Sequence, residues 1–235
     1  MDNILKIGVV VADKDEFGPF EEAVAKYHAE DFELFNKKAI TFMFGGARVY
    51  AVHCGIGKVN AAIAATHLAD MGCRCILNYG LSGGISGVKR GQLCIPNRFL
   101  EHDFDLTTIG YKPCEKPGQK YIYDVDKELF EAVCGIFSDS ASGTAVCGDR
   151  FICNDEDRKF LKETFDAVSC DMETAAIASV CDMAGIPFLS LRRISDDAGD
   201  DAASSYKEMN AQNELLSECF IKILSAVTEY YGGLL

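Results

Sequence analysis

The sequence predicts a single α/β domain, residues 1–235, with a mixed, largely parallel central β-sheet flanked by helices. Two observations predict it. Strand-length runs rich in Val, Ile and Leu alternate with helix-length amphipathic segments from one end to the other. Between them the composition never shifts to a linker, a repeat or a low-complexity tract. With 49% hydrophobic and 25% charged residues the chain has the balance of a globular protein with a sizeable core.

Residues 5–12 form a buried, β-branched strand, followed by an acidic turn and a helix over about 17–28. Residues 39–44 and 48–54 flank Gly45-Gly46 and read as a hairpin. Gly55-Ile56-Gly57 then opens a small-residue helix reaching Met71, and 75–78 is a strand ending at Gly80. Residues 92–100 read as one strand, and 102–123, with Pro, Gly and Tyr in no period, as a long excursion. Helices are predicted over 127–137, 155–164 and 175–184, with strands at 143–147, 167–170 and 187–194. One C-terminal helix is expected over 207–231.

A net charge of −13, from 36 acidic and 23 basic side chains, opposes binding to nucleic acid or an anionic membrane. The N-terminal apolar run has no basic start and soon meets acids, which predicts neither a signal peptide nor a membrane span. The 11 cysteines include no Cys-x-x-Cys pair, and His28, His53, His67 and His102 show no metal-ligand spacing. These features predict small hydrophobic cysteines in a reducing, cytoplasmic setting with no metal, and the chain read as a whole calls for no cofactor.

Ligands of such sheets bind beyond the carboxyl ends of the strands. The segments there are Asp13-Lys14-Asp15-Glu16, Gly80-Leu81-Ser82-Gly83-Gly84, Gly148-Asp149-Arg150-Phe151-Ile152, Asp171-Met172-Glu173 and Ser195-Asp196-Asp197. Carboxylates without a basic cluster suit acid–base chemistry on an uncharged polar ligand better than phosphate binding. An acid at a helix start has a purely structural use, since the helix dipole stabilises it by a few tenths to about 1 kcal/mol. That reading covers Asp13, Asp15 and, on local grounds, Glu16 and Glu173. Asp196 leaves a buried strand, where partial burial raises a carboxyl pKa and equips it to donate a proton. Gly55-x-Gly57-Lys58 lacks the spacer of a phosphate loop, and Val59 stands where Ser or Thr would hold magnesium.

Together these segments resemble the nucleoside phosphorylase and nucleosidase superfamily, and within it the 5′-methylthioadenosine/S-adenosylhomocysteine nucleosidases. The resemblance runs from Lys6 into the C-terminal helix. It implies a nucleoside phosphorylase-like fold, a homodimer, and hydrolysis of the bond between a purine and C1′ of ribose. By the same resemblance Asp196 protonates the purine, oriented by Ser195, and Glu16 activates water. Glu173 holds the ribose hydroxyls, with Met172 beneath the ring, and Asp171, where the nucleosidases usually have Glu, belongs to the substrate-binding set. Phe151 stacks on the base and the Ile152 backbone reads its edge. Ile56 and Tyr206 line the 5′ substituent, while Ile109 and Pro117 reach the neighbouring subunit's site. The chain departs from the pattern at Val11, Leu81 (with Ser82 as a substitute hydroxyl), Asp171, Arg193 and Tyr206. Its first loop, Asp-Lys-Asp-Glu, replaces the Arg-containing Gly-rich loop that clamps phosphate in the phosphorylases, so hydrolysis is expected. A phosphate-dependent phosphorylase and a non-catalytic nucleoside-binding protein are the alternatives.

Overall fold

A computed structural model describes residues 4–210 and 212–233. Eleven strands make one sheet: β1 (Lys6–Val11), β2 (Glu30–Leu34), β3 (Lys37–Phe44), β4 (Ala47–His53), β5 (Cys75–Gly84), β6 (Leu93–Cys94), β7 (Arg98–Glu101), β8 (Ile122–Asp124), β9 (Thr144–Cys147), β10 (Ala167–Asp171) and β11 (Phe188–Asp196). The helices are α1 (Lys14–Val24), α2 (Lys58–Asp70), α3 (Lys127–Cys134), α4 (Asp155–Phe165), α5 (Thr174–Ala184), α6 (Ala202–Asn210) and α7 (Glu214–Gly232).

The strand order is β2-β3-β4-β1-β5-β10-β9-β7-β8, with β11 branching from β5 and carrying β6 on its far side. Five pairings are parallel and five antiparallel, so the sheet is mixed rather than largely parallel: two parallel blocks, β4-β1-β5-β11 and β10-β9-β7, meet at the antiparallel β5–β10 pair. β5 is the hub. Its first residues, Cys75–Asn78, pair with β1, β11 follows it from Ile76 to Gly83, and its last two residues, Gly83 and Gly84, also pair with β10. Every residue of β11 and all but Gly83 of β5 are buried, because helices or other strands cover both faces. One face packs β1, β5 and β11 against α1 and α7 through Phe20, Tyr79, Phe220 and Leu224. The other packs against α2 and α5, whose alanines admit close approach.

Several elements differ from the sequence expectation. β5 continues six residues past Asn78, because its small residues let the sheet bend without ending. The expected strand 92–100 is β6 and β7, divided at Pro96, across which the chain changes partner from β11 to β9. β2 lay hidden in Glu-Asp-Phe-Glu-Leu, an edge strand whose acids face water. The first helix starts at Lys14 and ends at Val24, earlier than expected at both ends. The expected C-terminal helix is α6 and α7, with buried Asn213 between them donating from Nδ2 to the Asp15 carbonyl at 3.2 Å. The 102–123 excursion is irregular apart from a short turn at Thr107–Ile109 and the first residues of β8.

Two lysines pin that excursion. Lys58 Nζ lies 2.8 Å from Glu101 and 2.6 Å from Asp103, and Lys116 also pairs with Glu101. Nine of the eleven cysteines are buried, and all eleven are free thiols. Among the described residues no helix is long and apolar enough to cross a membrane.

Candidate active site

The carboxyl ends of β1, β5, β10 and β11 converge on one cavity of about 200 Å³. The register explains its charged floor. Arg192 on β11 lies beside Gly80 on β5, and cross-strand neighbours present their side chains to the same face. A Cβ on Gly80 would come within 2.6 Å of Arg192 Nη1 and 2.9 Å of Glu16 Oε2. Only glycine leaves room there for a guanidinium and a carboxylate together.

Glu16 enters from α1, whose N-cap is Asp13. Its Oε1 accepts from the Leu81 backbone N–H at 2.7 Å, and its carbonyl accepts from the Tyr79 hydroxyl at 2.8 Å. The side chain is 4% exposed, and that desolvation outweighs the Leu81 bond and the Arg192 charge. Its pKa is pushed up to about 8.

Glu173 stands at the start of α5 yet caps nothing in its own helix. It accepts instead from the Gly57 N–H at 2.9 Å, across to the start of α2. Gly57 has φ +100°, a conformation that L side chains rarely adopt. Burial again dominates, partly offset by Arg192, and pushes the Glu173 pKa up to about 7. Asp171 supplies the cap that Glu173 does not, accepting from the Glu173 and Thr174 N–H groups at 2.8 Å and the Thr174 hydroxyl at 2.6 Å. Its Oδ1 also lies 3.4 Å from Arg192 Nη2, with Glu173 Oε2 at 3.9 Å. One buried cation thus faces three buried carboxylates, and Nε and Nη2 of Arg192 have no hydrogen-bond partner among the described residues.

Asp196 lies at the end of β11, 2% exposed, where β11 bulges against Gly83 of β5. Ser195 Oγ donates to its Oδ2 at 2.6 Å and the Ala198 N–H donates to Oδ1 at 2.8 Å. Burial raises its pKa against both bonds. Phe151 projects half-exposed into the same cavity, its ring 5.7 Å from that of Tyr206 in an edge-to-face pair.

A family model of the phosphorylase superfamily matches residues 6–229. The chain belongs to that superfamily. The 5′-methylthioadenosine/S-adenosylhomocysteine nucleosidase of Tolumonas auensis is 31% identical over 212 residues, covering 87% of this chain and 91% of that protein. The corresponding nucleosidase of an Exiguobacterium species is 30% identical over 233 residues, covering 96% and 98%. These relatives identify the chain as a member of the nucleosidase family within the superfamily. In fold it is similar to the Helicobacter pylori nucleosidase crystallised with butyl-thio-DADMe-Immucillin-A, with TM-score 0.90 and 23% identity, covering 95% of this chain and 99% of that one. It is equally similar in fold to the futalosine hydrolase of the same organism, with TM-score 0.88 and 22% identity, covering 94% and 97%.

Of the residues singled out from the nucleosidase resemblance, eleven line the cavity: Glu16, Ile56, Ser82, Phe151, Ile152, Asp171, Met172, Glu173, Ser195, Asp196 and Tyr206. Ile109 and Pro117 do not; both are exposed on the excursion. Leu81 lines the cavity as well, whereas Arg193 points to the other face of β11 and donates to the Gln212 carbonyl at 2.9 Å. Sequence reasoning gave no site role to six further lining residues, Ala12, Asp13, Gly83, Arg150, Cys170 and Arg192, of which Asp13 and Arg192 matter most to the chemistry. Arg192 had a usable signal: a cation inside Leu-Ser-Leu-Arg-Arg-Ile, a run otherwise fit for full burial, needs buried acids to neutralise it.

Proposed function

We propose that the protein hydrolyses the N-glycosidic bond of an adenine nucleoside of the 5′-methylthioadenosine/S-adenosylhomocysteine type, releasing adenine and the ribose moiety. The observation that carries this reading is the convergence of Asp196, Glu16 and Glu173 on one desolvated cavity beside the buried Arg192 guanidinium. Glycosidic cleavage passes through an oxocarbenium-like state in which the sugar gains positive charge and the leaving base negative charge. Asp196 delivers a proton to the purine, N7 being the basic ring nitrogen that the bond cleavage loads with charge. Its raised pKa favours the protonated form, and Ser195 fixes the orientation of the carboxyl. Phe151 offers a face for the base, and buried Ile152 brings backbone polar groups to its edge.

Glu173 receives the ribose hydroxyls, and its charge stabilises the developing cation above Met172. Glu16 takes the proton of the attacking water. A carboxylate with a pKa near 8 is a stronger base than one near 4, and Arg192, with two unpartnered nitrogens, can position the water or its oxygen. Asp171 does not face the reaction so much as hold the start of α5 and share Arg192. Three acids around one cation disfavour a phosphate dianion as nucleophile, which supports hydrolysis over phosphorolysis.

A homodimer belongs to the same reading. Ile56, Val59 and Ile63 form an exposed apolar stripe along the start of α2, and Ile109 and Tyr111 are exposed on the excursion nearby in sequence to its Lys58 anchors. Eleven unpaired thiols are in keeping with a cytoplasmic setting.

Adenine release from 5′-methylthioadenosine and S-adenosylhomocysteine in phosphate-free buffer tests the activity. Strict phosphate dependence, with ribose 1-phosphate as product, would replace it by phosphorolysis; tight nucleoside binding without base release would leave a binding protein. Asp196→Asn should lower turnover by about 10²–10⁴-fold, the worth of a general acid, while retaining inhibitor binding. Normal turnover in that variant would remove Asp196 from the chemistry.

A further inference from the structure

The first loop contributes more to the cavity than Glu16. Asp13 uses Oδ1 to cap α1, accepting from the Asp15 N–H at 2.7 Å, which leaves Oδ2 for another partner. That oxygen lies 3.4 Å from the hydroxyl of Tyr206 on α6, and both residues line the cavity. Tyr206 is the residue that the family resemblance places at the 5′ substituent, so this pair sits at the 5′ end of the nucleoside. When Tyr206 donates to Asp13, the carboxylate oxygen and the phenol oxygen both face the ligand as acceptors. Two cations line the cavity: Arg150 is paired with Asp157, and Arg192 is engaged by Asp171 and Glu173. Glu16 and Glu173 add further negative charge, and burial together with these acids keeps the Tyr206 phenol protonated.

We infer that Asp13 and Tyr206 make the 5′ subsite selective for a substituent carrying an O–H or N–H donor, a hydroxyl or an ammonium, over a methylthio group or a hydrogen. This rests on the nucleosidase reading above. A thioether or a methyl group offers the two oxygens nothing to accept, and an acceptor left desolvated without a donor costs binding that the donor-bearing analogue keeps. A hydroxyl at C5′ and the ammonium of a homocysteine side chain share the required chemistry and reach different distances into the subsite.

The test compares kcat/KM for base release from adenosine, S-adenosylhomocysteine, 5′-methylthioadenosine and 5′-deoxyadenosine, in the wild type, Tyr206→Phe and Asp13→Asn. Asparagine caps a helix as well as aspartate does, so the second variant keeps α1 while removing the charge and presenting an amide donor. A donor-bearing substrate should exceed 5′-deoxyadenosine by about 10- to 100-fold, the worth of a hydrogen bond to a charged group. Adenosine leading places the donor at C5′; S-adenosylhomocysteine leading places it on the longer chain. Both variants should bring the winning ratio down toward unity while their melting curves match the wild type. 5′-Methylthioadenosine matching or exceeding both donor-bearing substrates, or ratios unmoved in both variants, overturns the inference and leaves hydrolysis standing. Base release from none of the four overturns the hydrolase reading instead; calorimetric binding of adenosine against 5′-deoxyadenosine then decides the subsite, equal affinities counting against it.

Discussion

The molecule contains two four-residue charge clusters a short distance apart, and they are built on opposite principles. The inner one sets Arg192 against Glu16, Asp171 and Glu173, fully buried and outnumbered three to one. The outer one sets Lys58 and Lys116 against Glu101 and Asp103, partly exposed and balanced two to two. Their acids respond in opposite directions. Glu16 and Glu173 are pushed up to about 8 and about 7, whereas Lys58 and Lys116 hold Glu101, and Lys58 holds Asp103, below the usual range against partial burial. The outer cluster fastens a long segment at little electrostatic expense. The inner cluster keeps unresolved charge in a dry place, which destabilises the fold and is what an arriving cationic transition state relieves.

Removing the inner cation should have the largest effect. Arg192→Met leaves three buried acids without compensation, a change worth about 3–5 kcal/mol of stability. At about 2–4 °C of melting temperature per kcal/mol for a chain of this size, the transition should fall by roughly 10 °C near pH 8. The deficit should shrink toward pH 6 as Glu16 and Glu173 take up protons; a deficit independent of pH would show that the guanidinium acts by packing alone.

Removing an inner acid should separate stability from activity. Glu16→Gln should lose about 10²–10⁴-fold in turnover, as expected for a general base. The same variant should melt higher than the wild type at pH 8.5. Raised pKa values mean that the folded state binds more protons than the unfolded one, so wild-type stability falls as pH rises from about 4.5 through about 8. The glutamine variant lacks part of that fall, and its advantage should vanish near pH 5. Equal melting temperatures at both pH values would place the Glu16 charge outside the stability balance.

The outer cluster should give the smallest effect and the opposite pH slope. Lys58→Met should cost no more than about 1 kcal/mol, the range of partly exposed pairs, with kcat/KM within a few-fold of wild type. Because Glu101 and Asp103 have lowered pKa values, their contribution is present above about pH 4 and is lost as pH falls through their folded values. The variant and wild type should therefore converge in acid, as thermal melts between pH 3 and pH 7 would report.

The contrast between the clusters also explains what could be read from the sequence. Apolar runs and strand exits located the cavity, because burial and turn chemistry are local signals; Glu16, Glu173 and Asp196 each follow or end a strand. Partner choice is not local. Nothing in residues 92–100 says that the chain leaves β11 for β9 at Pro96, and nothing near Glu30 says that an acidic run pairs with β3. Asp13 reads as a helix cap and is one, yet its second oxygen meets Tyr206 from 193 positions away. Arg192 makes sense only once three acids from three other elements are brought to it.

Gly80 joins these themes. At Gly80 the central strand of the sheet carries no side chain, and the guanidinium and the Glu16 carboxylate occupy the space that a methyl group would take. A saturation library at this codon has accordingly one acceptable letter for function. Alanine there forces the ends of the Arg192 and Glu16 side chains to shift from their seats, so an alanine clone that still folds should show its cost in the chemistry rather than in the sheet.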